Sequence, residues 1–237
     1  MNKGLLMALV LLLSCSLSSV AQKTTKGKKR ATTRKVTPKK PQPKVQEVFI
    51  EDADPLMKME NDKFLYTGKS GDQLVYEVNA GGNVYDFIVT QQSENNKYRY
   101  AFNWEMTAPV NRKGHVNITK EAAYDSKKYN NYFSGGDLTL TDACTVWLSG
   151  QNFADMPNKQ TKMQLDNGEA ETFYRKDEAE TEYTVLYKGN EIKLDIFKID
   201  NDKAGSDHHQ LWVQGISSFP LIVKMDLGWT IRLKEIR

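Results

Sequence analysis

Cysteine and histidine are scarce in this chain: two of the first, Cys15 and Cys144, and three of the second. Cys15 falls inside an N-terminal export segment, where it is either removed or lipidated. Cys144 is then left without a partner for an internal disulfide, although the compartment would permit one. Its surroundings, TDACTVWL, are largely apolar, the setting of a buried structural thiol rather than a reactive one. After Leu13 no apolar run approaches the roughly 18 residues of a membrane-spanning helix. There is no GxGxxG, no GxSxG and no HExxH, so three well-understood site chemistries have no sequence support. Gly68-Lys69-Ser70 ends like a phosphate-binding loop. Lys63, however, stands where the first glycine belongs, and no strand–helix unit surrounds the motif, which leaves a turn before a strand.

The N-terminus carries a clear signal. Lys3 supplies a positive start, Gly4 to Leu13 is almost wholly apolar, and Ser19-Val20-Ala21 puts small residues where a signal peptidase reads. This is a secretory signal peptide over residues 1–21, with cleavage leaving Gln22 first. Leu12-Leu13-Ser14-Cys15 also resembles a bacterial lipobox, so lipidation at Cys15 stays open. The expected location is the periplasm or cell envelope.

Charge divides the remainder. Residues 23–45 carry ten Lys or Arg, no acid, no aromatic residue and three prolines, whereas residues 46–237 have 22 basic and 30 acidic side chains, a balance of −8. The basic stretch lacks the apolar surface to offset ordering entropy and reads as a disordered linker over 22–47. Export removes it from most nucleic acid, and the domain behind it is acidic, so an anionic envelope surface is its expected contact and nucleic acid is not.

Residues 48–237 read as one domain. Leu74, Tyr76 and Val78 alternate with Val75, Glu77 and Asn79. Tyr85, Phe87 and Val89 follow the turn AGGN, and Tyr98, Tyr100, Phe102, Trp104 and Met106 form an aromatic stripe. Alternation of this kind marks half-buried antiparallel strands. Tyr183, Val185 and Tyr187 lead through Lys188-Gly189-Asn190 into Ile192, Leu194 and Ile196, a hairpin. Residues 209–237 give two or three more strands, with turns at Gly215–Pro220 and near Gly228. One short helix is expected within 141–157, capped by Thr141 or Asp142 and stopped by Pro157. The expected fold is mainly β: a single curved antiparallel sheet or open β-barrel of roughly ten strands with one or two short helices.

This order of parts resembles the LolA/LolB-like envelope proteins and related secreted bacterial families. The stretches that carry the resemblance are GDQLVYEVNAGGNVYDFIVT at 71–90, TDACTVWLS at 141–149 as a helix, and LWVQGISSFPLIVKMDL at 211–227. The resemblance implies an unclosed barrel around a short helical lid and a cavity suited to acyl chains. It supplies no catalytic residues.

Other residue clusters favour plain readings. Asp200, Asp202 and Gly205 match positions of a calcium loop, but Ala204 and Leu211 stand where ligand oxygens are required. His208 and His209, adjacent on a strand, point to opposite faces and are poorly placed to share one metal, so a site would need Asp207 or His115 to complete it, and surface histidines without a role are the plainer reading. Seven carboxylates between Asp166 and Glu182 read as a solvated face. No catalytic residue, metal or cofactor is assigned. The candidate ligand surface is aromatic: Tyr98, Tyr100, Phe102, Trp104, Trp147 and Trp212, against their use as core. The sequence therefore points to a non-enzymatic envelope protein that binds a lipid, acyl chain or lipoprotein in a curved sheet. The alternative is a structural or adaptor protein that contacts wall or partner through its tail and β domain, and a hydrolase with an unrecognised site ranks last.

Overall fold

The computed structural model describes residues 54–237; the expected signal peptide and the expected basic linker lie outside the described residues. The chain enters with β1 (Leu56–Lys58) and β2 (Lys63–Tyr66), an antiparallel pair. Four long strands follow as a meander: β3 (Gln73–Ala80), β4 (Asn83–Gln91), β5 (Tyr98–Met106) and β6 (Arg112–Thr119). Helix α1 (Lys120–Asp125), short strands β7 (Lys128–Tyr129), β8 (Gly136–Leu140) and β9 (Ala143–Cys144), and helix α2 (Gly150–Ala154) come next. The rest is β10 (Gln160–Leu165), β11 (Ala170–Lys176), β12 (Glu182–Tyr187), β13 (Asn190–Asp200), β14 (Gln210–Gln214), β15 (Ile222–Asp226) and β16 (Thr230–Ile236).

The fold is mainly β, and all sixteen strands belong to one sheet. Long strands form where the sequence alternates. On β5 Tyr100, Phe102 and Trp104 are buried while Asn103 and Glu105 are exposed, the two-residue period of a sheet with one wet face. The hairpin between β12 and β13 turns on Lys188 and Gly189, at φ 49° and 84°, the left-handed pair that matches the strand twist.

β12 pairs with β13 on one side and, through Leu186 and Tyr187, with Glu235 and Ile236 of β16 on the other. The run β12–β13–β14–β15–β16 thereby closes on itself as a five-stranded barrel. Two wings extend the sheet. β3, β4, β5, β6 and β8 continue from β16, and β11, β10, β7 and β9 continue from β13. Tyr66, Leu74, Phe102, Trp147, Phe173 and Leu194 are among the fully buried large side chains. Each contributes roughly 1.5–3 kcal/mol through lost apolar hydration.

The helix expected within 141–157 starts later than its apolar spacing suggested. Residues 143–144 pair in parallel with β7, Val146 adopts a left-handed φ of 64°, and Trp147 bridges Leu221. Neither Thr141 nor Asp142 caps a helix. Ser149 does, its hydroxyl accepting the Asn152 N–H at 3.1 Å, and α2 follows it. Burial on every side of 143–149 removes the face-dependent pattern that a surface helix would show. α1 is capped the same way, by Thr119 Oγ1 accepting from the Ala122 N–H.

Candidate functional site

The six aromatic residues singled out from sequence divide into four places. Tyr100, Phe102 and Trp147 meet: the Tyr100 ring stacks on the Trp147 indole at 4.4 Å between centroids, and Phe102 meets that indole at 5.7 Å. Phe219, from the loop after β14, closes the group at 5.5 Å from Trp147 and 6.0 Å from Tyr100. Trp104 packs elsewhere, 6.1 Å from Phe87 and 5.2 Å from Phe133. Trp212 lies between its cross-strand neighbours Lys198 and Lys224, whose ammonium groups sit 5.1 and 4.0 Å from its ring. Tyr98 is half-buried under Lys97. Tyr100, Phe102, Trp104, Trp147 and Trp212 are all buried, so packing is their first use. Tyr100 and Trp147 reach a polar hollow between Gly68–Ser70 and Gln92–Arg99, and Trp104 reaches another between β3 and β8.

An apolar opening lies elsewhere, between the β3–β4–β5 wing and strands β15 and β16. Val78, Tyr85, Phe87, Met106, Phe133 and Trp229 line it, with Tyr129 and Asn131 from the segment after α1. It holds about 60 Å³ of free space. At some 10–15 Å³ for each water-sized occupant, that admits an apolar group of about four or five heavy atoms. Tyr85, Met106 and Trp229 are half-buried and form its rim.

Most polar atoms around this crevice are spoken for. The Tyr76 hydroxyl donates to the Ile222 carbonyl at 3.0 Å, and the Tyr129 hydroxyl accepts the Val146 N–H at 2.9 Å. Burial pushes both phenols above their ordinary range, so they stay neutral. Asn131 differs. Its backbone N–H donates to Asp166 Oδ1 at 2.6 Å and its Nδ2 reaches Asp166 Oδ2 at 3.5 Å. Its Oδ1 is buried and accepts no hydrogen bond from the described residues. A buried acceptor left unmade costs about 1–3 kcal/mol.

Sequence reasoning did not reach Asn131 or Phe133. They sit in YNNYFSGG, where no period separates one face from another, and only the fold carries them to β4 and β16. Asp166 was placed on a solvated face, yet it anchors Asn131.

The remaining sequence candidates find structural partners. Glu171 binds His209 and Asn201, Asp177 pairs with Lys159, and Glu182 pairs with Lys193. Asp200 and Glu171 take one histidine each, His208 Nε2 and His209 Nδ1 both at 3.0 Å, as opposite-facing neighbours should. Among the described residues no group of three or more His, Cys, Asp or Glu is placed to hold a metal. Cys144 is buried, its thiol reaching toward the Ala122 carbonyl.

No family model, no curated protein and no solved structure matched the chain when it was compared with them. No helix of the described residues is long and apolar enough to cross a membrane.

Proposed function

We propose that this chain is an exported, non-catalytic binding protein of the bacterial cell envelope, whose β domain takes a small apolar group in the crevice beside Asn131. The reading rests on one observation: an apolar opening adjoins a fixed, buried hydrogen-bond acceptor that has no partner among the described residues. Apolar walls with one placed polar atom are the usual composition of a small-ligand site. The volume fits a short aliphatic segment carrying one O–H or N–H, such as the hydroxylated or amide-linked part of an acyl lipid. A whole acyl chain does not fit the crevice as it stands.

A series of n-alkanols tests this, added to the full chain while ¹H–¹⁵N spectra are recorded. The side-chain signals of Asn131 and Trp229 are expected to move. Affinity should rise about fourfold per added methylene over the first few carbons, the factor that about 0.8 kcal/mol of apolar burial gives. Met106→Trp fills the rim and should abolish the response. Shifts scattered over the surface, or an unchanged response in that variant, would exclude the crevice as the site.

A further inference from the structure

On the opposite face of the same wing, polar residues of five adjacent strands stand in one line. Gln73 of β3 faces Thr90 of β4, Thr90 faces Asn103 of β5, Asn103 faces His115 of β6, and His115 faces Asp137 of β8. With neighbouring strands about 4.8 Å apart, the row runs roughly 19 Å across the sheet. A groove of about 560 Å³ lies over it, flanked by Glu105 and Lys113. That volume is within the range of about 300–1,000 Å³ common to ligand sites.

The floor of this groove is fixed in place. His115 Nδ1 lies 2.9 Å from Asn103 Oδ1 and its Nε2 lies 3.1 Å from Asn117 Oδ1, so two amides hold the ring. At Gly114 a Cβ would stand 1.9 Å from the Gly136 carbonyl oxygen, and the absence of side chains there keeps the floor low between β6 and β8. Among the described residues, the side chains of Gln73, Thr90, Glu105, Lys113 and Asp137 make no hydrogen bond or ion pair within the domain. Donors and acceptors on either side of the Asn103–His115 pair are thus left open to solvent.

The chemistry of the row selects its occupant. Amides, a hydroxyl and an imidazole at regular spacing complement a ligand that also donates and accepts at regular spacing. Glu105 and Asp137 outnumber Lys113 on the rim and oppose phosphate-rich polymers, and a floor where Trp104 lies among amides, a hydroxyl and an imidazole suits a chain with both polar and apolar faces better than a lipid tail. An extended peptide would pair along a strand edge rather than lie across five strands. We propose that this row binds a neutral polyhydroxylated chain, a glycan, laid across β3, β4, β5, β6 and β8. The site does not depend on the apolar crevice: Phe87 and Met106 face that crevice from one side of β4 and β5, and Thr90 and Asn103 face the groove from the other.

Titration of the full chain with the neutral tetrasaccharides cellotetraose and chitotetraose, up to about 10 mM, is the direct test, at the weak end of binding that spectra can follow. The side-chain amide signals of Gln73, Asn103 and Asn117 should move with at least one of them. The double variant Gln73→Ala/Thr90→Ala, at half-buried positions, should weaken binding by about tenfold or more, and Asn103→Ala should weaken it while releasing His115. Tripolyphosphate should leave the same signals unmoved. Silence with both sugars, unchanged affinity in the double variant, or a response to tripolyphosphate at these residues would each overturn the assignment.

Discussion

Tyr100 lies flat against Trp147, their rings 7° from parallel and 4.4 Å apart. The pair joins two parts of the chain distant in sequence, the middle of β5 and the segment before α2. Trp147 also stands opposite Leu221 in a backbone bridge, where the Leu148 N–H donates to the Pro220 carbonyl and the Ile222 N–H to the Val146 carbonyl, and Phe219 packs its ring. Trp147→Ala should therefore lower the unfolding free energy by about 3–5 kcal/mol, as truncation of a buried indole does. Urea denaturation followed by tyrosine fluorescence measures it. A loss below about 1 kcal/mol would mean that Tyr100 and Phe219 close the gap unaided.

Acid should act on the domain through Asp200. Burial pushes its carboxyl up, but the Asp202 N–H, Gln210 and His208 together outweigh that and hold it at about 2, below its ordinary 3.8. A carboxyl lowered in the fold adds stability above its unfolded value, and that stability is lost as pH falls toward the folded one. The wild-type chain should lose stability between about pH 4 and pH 2. Asp200→Asn should flatten that slope. Denaturation midpoints at several pH values give the comparison, and equal slopes in the two proteins would remove Asp200 from the account.

Cys144 should be inert while the domain is folded. Burial pushes its thiol up to about 12, far from the range in which a thiolate forms at neutral pH. Alkylation with iodoacetamide at pH 8, mapped by mass spectrometry, should leave the Cys144 peptide unmodified in native protein and modify it in urea. Modification of native protein at the rate of a free thiol would contradict this burial.

Gly114→Ala should loosen one edge of the sheet. The new Cβ would meet backbone, not a flexible side chain, so β6 and β8 cannot keep their parallel pairing. A destabilisation of about 1–3 kcal/mol is expected from the overlap. Hydrogen exchange should report it locally, with amides of Leu138 and Leu140 losing protection while those of β13 keep theirs.

What the sequence disclosed and withheld follows from period and distance. β4, β5, β12 and parts of β3 and β13 alternate in sequence, and one wet face is enough to make such stretches readable. The segment 143–149 is buried throughout, so its apolar spacing carried no directional information and suggested a helix that begins only at Gly150. The aromatic residues were recognised as important, and most of them serve packing. Asn131 had no local mark, since its meaning comes from Asp166, 35 residues away, and from the strands that wall the crevice. The row from Gln73 to Asp137 is likewise invisible until the strands are in register.

The closure through β16 also sets an order of events. That strand pairs with β3, β12 and β15, and each of them precedes it in the chain. As the polypeptide emerges, β3 waits with an open edge across some 150 residues for its partner, and the barrel has no means of closing until residues 230–236 arrive. Contacts so distant in sequence slow folding and expose unpaired strands meanwhile. A chain of this design gains from being held extended and folding only after its last strand is delivered.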